Sequence, residues 1–191
     1  MILQALVDYY EKQAEKGVIS KPGWAKVPVS FALEIDENGQ LLQVIPLKSD
    51  MGDGKKPRPR EMLLPAPVKR TVRITANFLC DNAAYLLGYD GEGNSGRAKR
   101  CFIEAKNLHL ALLGGAQDDF AWAICRYFET WDTDKAGEHP EVLKYMEDIK
   151  KAPTSFLCSM GSSPAKIRLL PGHGRTIMTV AMKEKSECAA L

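Results

Sequence analysis

The sequence predicts an α+β fold, with a small antiparallel β-sheet or hairpin early in the chain and several packed helices after it. Residues 27–35 and 41–47 are rich in β-forming and apolar side chains, and the turn-forming run 36–39 separates them, which is typical of a hairpin. From residue 97 onward, apolar residues recur at helical spacing. The 191 residues, 45% hydrophobic and 26% charged, suffice for one packed domain.

The first predicted element is an amphipathic helix over residues 2–14, which Gly17 ends, and we expect its apolar stripe to face the core. After the hairpin, a short strand is expected at residues 61–64. The spacing of apolar residues then predicts a helix over residues 77–87, with Gly88 as its stop.

Three further helices complete the predicted fold. The first begins at Arg97 and has about 17 residues, and its shared face carries Phe102, Ala105, His109 and Leu112. The second has a strong amphipathic pattern, formed by Phe120, Ile124, Tyr127, Phe128 and Trp131. Pro140 opens the third, which carries Val142, Met146 and Ile149.

Several classes of protein are disfavoured. No run approaches the roughly 18–20 apolar residues of a membrane span, and Asp8 and Glu11 interrupt residues 1–14, unlike a secretory signal, so a cytoplasmic location is predicted. The cysteines stand far apart, without a C-x-x-C pair or a histidine at ligand spacing, which predicts free, partly buried thiols and no metal. They are Cys80, Cys101, Cys125, Cys158 and Cys188.

The sequence carries no convincing catalytic signature, so we expect no enzyme and no cofactor. The G-x-G-x-x-G pattern at residues 91–96 precedes a helix but follows a predicted helix instead of a strand, which favours a surface loop. His109 is expected in the core, His139 at a helix start, and neither they nor His173 neighbour a nucleophile in a strand-to-helix elbow. The acidic pairs, Asp118 with Asp119 and Asp132 with Asp134, are typical of helix-start and loop charges.

The strongest positive feature is a basic segment at residues 48–73, which holds eight basic and three acidic residues, a net charge of +5 within a chain of +2. Glycines and prolines place its charges on loops that flank the predicted strand. Such lysines and arginines can neutralise phosphates, while neighbouring asparagines are suited to base edges. A solvated basic surface is the alternative, and composition alone leaves both open.

Three ordered segments resemble the large subunit of the type I-C CRISPR Cascade complex. They are MILQALVDYY at residues 1–10, the hairpin with Phe31-Ala32-Leu33 and Asp36, and PVKRT at residues 67–71 followed by NFLCDNAAYLLG at residues 77–88. The resemblance covers residues 1–157, and family proteins often have a tryptophan at the position of Cys80. Because they are several times longer, the chain is expected to be the N-terminal, motif-sensing portion.

The resemblance implies a non-catalytic subunit of an RNA-guided surveillance complex in antiviral defence, which inspects the protospacer-adjacent motif and helps to start unwinding of the target double-stranded DNA. Guide RNA and the handle-binding and backbone subunits of Cascade are the other implied partners, and no membrane is involved. The implied motif-reading residues are Lys69, Arg70, Thr71, Asn77 and Asn82. The implied phosphate contacts are Lys55, Lys56, Arg58 and Arg60. A helix-capping role for Asn77 is the alternative.

After residue 157 the sequence shows no sustained helical or strand periodicity. Codons permitted for residues 158–170, read from each third base, can encode F-D-G-K-F-A-R-E-D-P-A-I, which the family is expected to show here. We therefore predict a domain over residues 1–157 and an atypical, out-of-frame and poorly packed tail over residues 158–191. Sequencing the gene tests this hypothesis.

Two other functions remain open from the sequence alone. A truncated decoy or interaction module would bind Cascade subunits without binding DNA. A nuclease or nucleotide-binding enzyme would need residues 91–96 or the acidic pairs to bind a ligand. Salt-dependent DNA binding separates the expected function from the decoy, and titration with metal or nucleotide tests the enzyme.

Overall fold

The strands and helices of this chain follow one another as the α+β class requires, which confirms the predicted fold class. The computed structural model describes residues 2–15, 23–48, 57–70, 72–90, 95–149 and 155–160. The helices are α1 (Ile2–Glu15), α2 (Ala83–Leu86), α3 (Gly96–Leu113), α4 (Asp119–Thr130), α5 (Pro140–Leu143) and α6 (Met146–Ile149). The strands are β1 (Trp24–Val29), β2 (Phe31–Ile35), β3 (Leu41–Pro46), β4 (Arg60–Pro65), β5 (Cys80–Asn82) and β6 (Ser155–Met160).

Two sheets organise the described strands. The larger has the order β3-β2-β6-β5, in which the hairpin β2–β3 and the pair β5–β6 are antiparallel, while β2 and β6 run parallel. Every residue of β2 is buried, which indicates that both faces of the larger sheet are covered at this strand. The smaller sheet is an antiparallel ribbon of β1 and β4. The predicted hairpin and the strand at residues 61–64 are thus confirmed.

The β-rich stretch at residues 27–35 is divided between the two sheets. Ser30 separates β1, which pairs with β4, from β2, which pairs with β3 and β6. The backbone carbonyl of Ser30 accepts a hydrogen bond from the N–H of Leu47 at 2.8 Å. This bond keeps the end of the hairpin in register where the chain passes from one sheet to the other.

The two long helices α3 and α4 form the core beside the sheet, as their periodicity predicts. Asp118 caps α4 by accepting hydrogen bonds from the N–H groups of Phe120 and Ala121, which satisfies donors that a helix start leaves open. Tyr127 and Phe128 are fully buried. Burying each such side chain stabilises the fold by about 1.5–3 kcal/mol.

Helix α1 forms where the sequence predicts it, but its apolar stripe does not enter the described core. Ile2 and Leu3 are 80% and 79% exposed, and Leu6, Val7 and Tyr9 are exposed as well. The expectation of a core-facing stripe is therefore wrong for the described part of the chain. Helical periodicity identifies an apolar face, but it carries no information about which element covers that face.

The predicted helix over residues 77–87 is wrong in its first half. Residues 77–79 are irregular, β5 follows, and only Ala83–Leu86 is helical. Leu79 has a φ of +61°, which ends any right-handed helix, and the Asp81 side chain accepts the backbone N–H of Asn77. Such local hydrogen bonds compete with helix formation.

The last elements differ from the prediction in detail. Pro140 occupies the first turn of α5 as expected, but residues 144–145 interrupt the helix before α6 begins. Strand β6 pairs three residues beyond the predicted boundary at residue 157, since residues 158–160 face Leu33, Glu34 and Ile35. The rest of the predicted tail, with His173 and Cys188, lies outside the described residues. Among the described helices, none combines the length and hydrophobicity that a bilayer crossing requires.

Candidate nucleic-acid interface

The loop between β4 and β5, residues 66–79, carries Lys69, Arg70 and Arg73. It leaves the ribbon where the N–H of Ala66 donates to the carbonyl of Gly23 at 2.8 Å. We call residues 66–79, without the undescribed position 71, the basic loop. Lys69 and Arg73 are exposed on it, and within the described ranges neither belongs to any of the ion pairs. Among the described residues, no carboxylate thus competes with an external anion for either cation.

Arg70 is bound inside the basic loop. Its Nε donates to the carbonyl of Thr75 at 2.6 Å, Nη1 donates to Oδ1 of Asp81 at 2.8 Å, and Nη2 pairs with Oδ2 of the same carboxylate. The guanidinium also lies over the ring of Tyr85, 4.1 Å from its centroid. Arg70 therefore connects the basic loop to β5.

The surroundings of Arg70 favour its charged form. Burial acts to lower the pKa of Arg70, but the hydrogen bond and the negative charge of Asp81 outweigh it, so the net pKa is raised above its ordinary value. Burial raises the pKa of Tyr85, and a hydrogen bond with Cys101 adds to this effect, so the phenol stays protonated. Its oxygen accepts the N–H of Thr75 at 3.3 Å.

Both predicted asparagines have structural partners. Oδ1 of Asn77 accepts the backbone N–H of Val68 at 2.8 Å and so joins the two sides of the basic loop. Asn82 is the N-cap of α2, because its Oδ1 accepts the N–H of Ala84 at 3.1 Å. Neither stands on the predicted helix face, and the capping role considered for Asn77 belongs to Asn82.

Two of the other predicted contacts lie at the end of β4 away from the basic loop. Arg58 and Arg60 are exposed at the opposite end of β4. At the ordinary rise of an extended strand, Arg60 lies about 16 Å along β4 from Pro65, the residue before the basic loop. Lys55, Lys56 and Thr71 lie outside the described residues, so their placement stays a prediction.

Two exposed cations are not among the contacts that the resemblance implies, although Arg73 belongs to the basic segment that the sequence indicates. Arg73 lies on the basic loop, and Lys26 faces Leu63 across the ribbon. The alternation of buried and exposed positions along β1 is the signal that points to Lys26. Exposed apolar residues adjoin these charges: Leu63 is 52% and Val72 is 92% exposed. The surface therefore offers both charge and apolar contact.

Two histidines predicted to be structural make structural hydrogen bonds. His109 is fully buried, with Nε2 accepting the N–H of Leu79 at 2.9 Å and Nδ1 lying 2.7 Å from the carbonyl of Ala105. His139 starts α5 by accepting the N–H of Glu141. Cys80, Cys101 and Cys125 are free thiols as predicted. Over the described ranges, no three side chains of His, Cys, Asp or Glu form a group able to hold a metal ion.

The comparison with protein families identifies the class of protein. Residues 6–163 match the family model described as CRISPR-associated protein (Cas_Csd1). Since the match covers most of the 191 residues, the chain is a CRISPR-associated protein. It belongs to the Cas_Csd1 family. No curated protein matches the chain. The resemblance stated from the sequence is thus confirmed at the level of the family, while the assignment to an N-terminal portion stays a prediction.

Proposed function

We propose that this chain is a non-catalytic, DNA-sensing part of an RNA-guided type I-C CRISPR surveillance complex. In this proposal it contributes to recognition of the protospacer-adjacent motif and to the start of DNA unwinding in antiviral defence. Membership of the Cas_Csd1 family supports a role in a CRISPR complex. The proposed DNA contact is supported by the exposed Lys69 and Arg73, which lie on a loop held by internal hydrogen bonds.

The chemistry of the basic loop suits a duplex. Lysine and arginine gain affinity by releasing the counterions condensed on phosphates, and this gain depends on salt but not on base sequence. A loop held by internal hydrogen bonds presents its cations at fixed positions, which reduces the ordering cost of binding. Base pairing with a guide RNA then supplies the long sequence readout, and the protein contributes local contacts to the duplex.

The asparagines have a smaller part in this proposal than the sequence predicts for them. Oδ1 of Asn77 and of Asn82 each accept one backbone hydrogen bond, so each side chain keeps its NH₂ group and one oxygen lone pair for a base edge but is held in place by a structural contact. Alanine at either position is expected to alter the loop or α2 as well as the motif preference. The phosphate contacts are therefore the better first test.

The test uses the assembled complex and a duplex target that carries the adjacent motif. We expect Lys69→Ala with Arg73→Ala to weaken binding and to reduce the slope of log K against log salt by about 0.9 for each phosphate that the variant no longer neutralises. The matched control is Arg97→Ala with Arg100→Ala, which removes two exposed cations from α3 and leaves the basic loop intact. Unchanged affinity and slope in the loop variant would overturn the proposal.

A protein-interaction role is the second candidate, and the exposed apolar residues of α1 favour it. In that case the chain would bind other subunits of the complex and contact no DNA. Polar substitutions at Leu3 and Leu6 would then release the chain from the assembled subunits, while the loop variant would leave both assembly and DNA binding unchanged. Co-purification of the subunits measures the first effect.

A further inference from the structure

We infer that Arg70 and Asp81 are a positioning pair for the DNA contact: they hold the basic loop so that Lys69 and Arg73 face the duplex, and Arg70 itself binds no phosphate. This inference rests on the proposed function. It also reassigns a residue that the sequence placed among the DNA contacts, and it gives a role to Asp81, which the sequence did not single out.

The donors of Arg70 are the first argument. An arginine that binds a phosphate presents two parallel N–H groups to two oxygens. In this chain that fork is already directed at Asp81, and Nε is bound to the carbonyl of Thr75. The aromatic ring of Tyr85 lies against the guanidinium as well. Turning Arg70 toward DNA would break all of these contacts.

The acceptors of Asp81 are the second argument. Its side chain is only 2% exposed, and besides Arg70 it accepts the backbone N–H groups of Asn77 and Asn82, each at 2.8 Å. A carboxylate has about four acceptor sites. Each of them has a donor here, so Asp81 joins the basic loop to the start of α2.

The connectivity is the third argument. Arg70 directly follows Lys69, and its bond to Thr75 closes the segment that contains Arg73. The hydrogen bond from the N–H of Val68 to Oδ1 of Asn77 closes a wider loop around the same segment. Lys69 and Arg73 therefore lie on a closed loop that the Arg70–Asp81 pair holds together.

If the Arg70–Asp81 pair only positions the basic loop, its loss should lower the affinity for DNA without changing the salt slope. Releasing the loop adds an ordering cost to binding, which for a few side chains corresponds to about a 3- to 30-fold loss of affinity. The number of neutralised phosphates stays the same, so the salt slope stays the same. A phosphate-binding arginine would behave differently, because its removal lowers the slope by about 0.9.

The experiment compares Arg70→Gln, Arg70→Lys and Asp81→Asn with Lys69→Ala in the assembled complex. Affinity is measured on the fraction of complex that binds DNA, so that a loss of stability alone does not change the result. We expect the Gln and Asn variants to lose affinity at an unchanged salt slope, the Lys variant to recover part of it, and Lys69→Ala to lower the slope. Hydrogen exchange at residues 66–77 should rise in the Gln and Asn variants.

Two outcomes overturn the inference. One is a salt slope that falls in Arg70→Gln as it does in Lys69→Ala, which would make Arg70 a phosphate contact. The other is unchanged affinity in Arg70→Gln and Asp81→Asn despite faster exchange in the loop. If these variants fail to fold, Tyr85→Phe tests the same point, since it keeps the ring under Arg70 and removes the acceptor for Thr75; unchanged affinity with faster loop exchange again overturns the inference. Failure of the proposed function is distinct, because Lys69→Ala would then have no effect either.

Discussion

The backbone N–H of Leu79 donates to Nε2 of His109 at 2.9 Å, and this buried bond holds Leu79 at a φ of +61°. A non-glycine residue in that region costs about 1–3 kcal/mol and persists only where its surroundings enforce it. His109 stacks between Phe78 and Phe128, with ring centroids 5.3 and 4.4 Å away, so its own position is fixed by packing. The turn at Leu79 in turn directs Asp81 toward Arg70.

Replacing His109 by Phe tests this relationship. Phenylalanine keeps an aromatic ring, slightly larger than imidazole, but the buried N–H of Leu79 loses its acceptor, and an unsatisfied buried donor costs about 1–3 kcal/mol. We expect the free energy of unfolding, measured with urea, to fall by that amount. His109→Gln, whose carbonyl can accept the same N–H, is the comparison and should lose less. A Phe variant within about 0.5 kcal/mol of the parent would contradict the proposed role of the bond.

Elements with a local signal were predictable from the sequence. Helices α3 and α4 were expected at nearly their observed bounds, because a repeated apolar spacing and a capping residue are both encoded within a few positions. The β2–β3 hairpin has its turn residues between its two strands. In each case, the interaction that fixes the element joins residues close in the chain.

Features that depend on distant residues were not predictable. The parallel pairing of β6 with β2 joins segments separated by most of the domain, and no local pattern indicates it. The same holds for Arg70, whose basic character suggests DNA until the carboxylate of Asp81 is found beside it. The bend at Leu79 likewise depends on His109, 30 residues away. The candidate site was thus predictable in location and in charge, but not in which cations remain exposed.

Gly39 marks a close approach between the hairpin turn and α4. Its φ is +75°, and a Cβ at this position would meet the backbone N of Tyr127 and lie 2.7 Å from the backbone carbon of Arg126. Both the backbone conformation and the clash oppose a side chain, so Gly39→Ala should destabilise the fold by about 3 kcal/mol or more. Thermal unfolding measures the loss.

Gly115→Ala is the matched control for this substitution. A Cβ at Gly115 meets nothing within 4 Å. Its effect on the free energy of unfolding should stay within about 0.5 kcal/mol, as for an ordinary surface change. Equal effects of the two alanines would show that the turn and α4 do not touch as described.

His139 should make stability depend on pH. Burial lowers its pKa, against an opposing effect of the Glu141 charge, and its Nδ1 accepts a hydrogen bond only when unprotonated. The histidine pKa of the unfolded chain is about 6.5. Between that pH and the lower folded pKa, the unfolded chain therefore binds more protons at this residue than the folded chain. Stability from this group is complete above the unfolded pKa and is lost as the pH falls through 6.5 toward the lower folded pKa.

The comparison with His139→Asn isolates this effect. Asparagine keeps an N-cap acceptor but does not titrate. We expect the free energy of unfolding of the variant to rise relative to that of the parent as the pH falls from 7.5 to 5.5. The rise should be less than about 1 kcal/mol, because the imidazole is partly exposed and screened. The other histidines are identical in the two proteins, so any contribution they make cancels in the difference. Parallel curves of melting temperature against pH would refute the assignment.

The place of β6 in the sheet predicts how far the chain can be shortened. Residues 155–160 lie between β2 and β5, while the family match ends at residue 163. A chain that ends at residue 163 should keep the melting temperature of the full chain, because every described strand is retained. A chain that ends at residue 154 should lose cooperative unfolding, because β2 and β5 would be left with unpaired backbone groups inside the sheet. Circular dichroism during heating distinguishes the two, and a stable, cooperative 154-residue chain would show that β6 is dispensable.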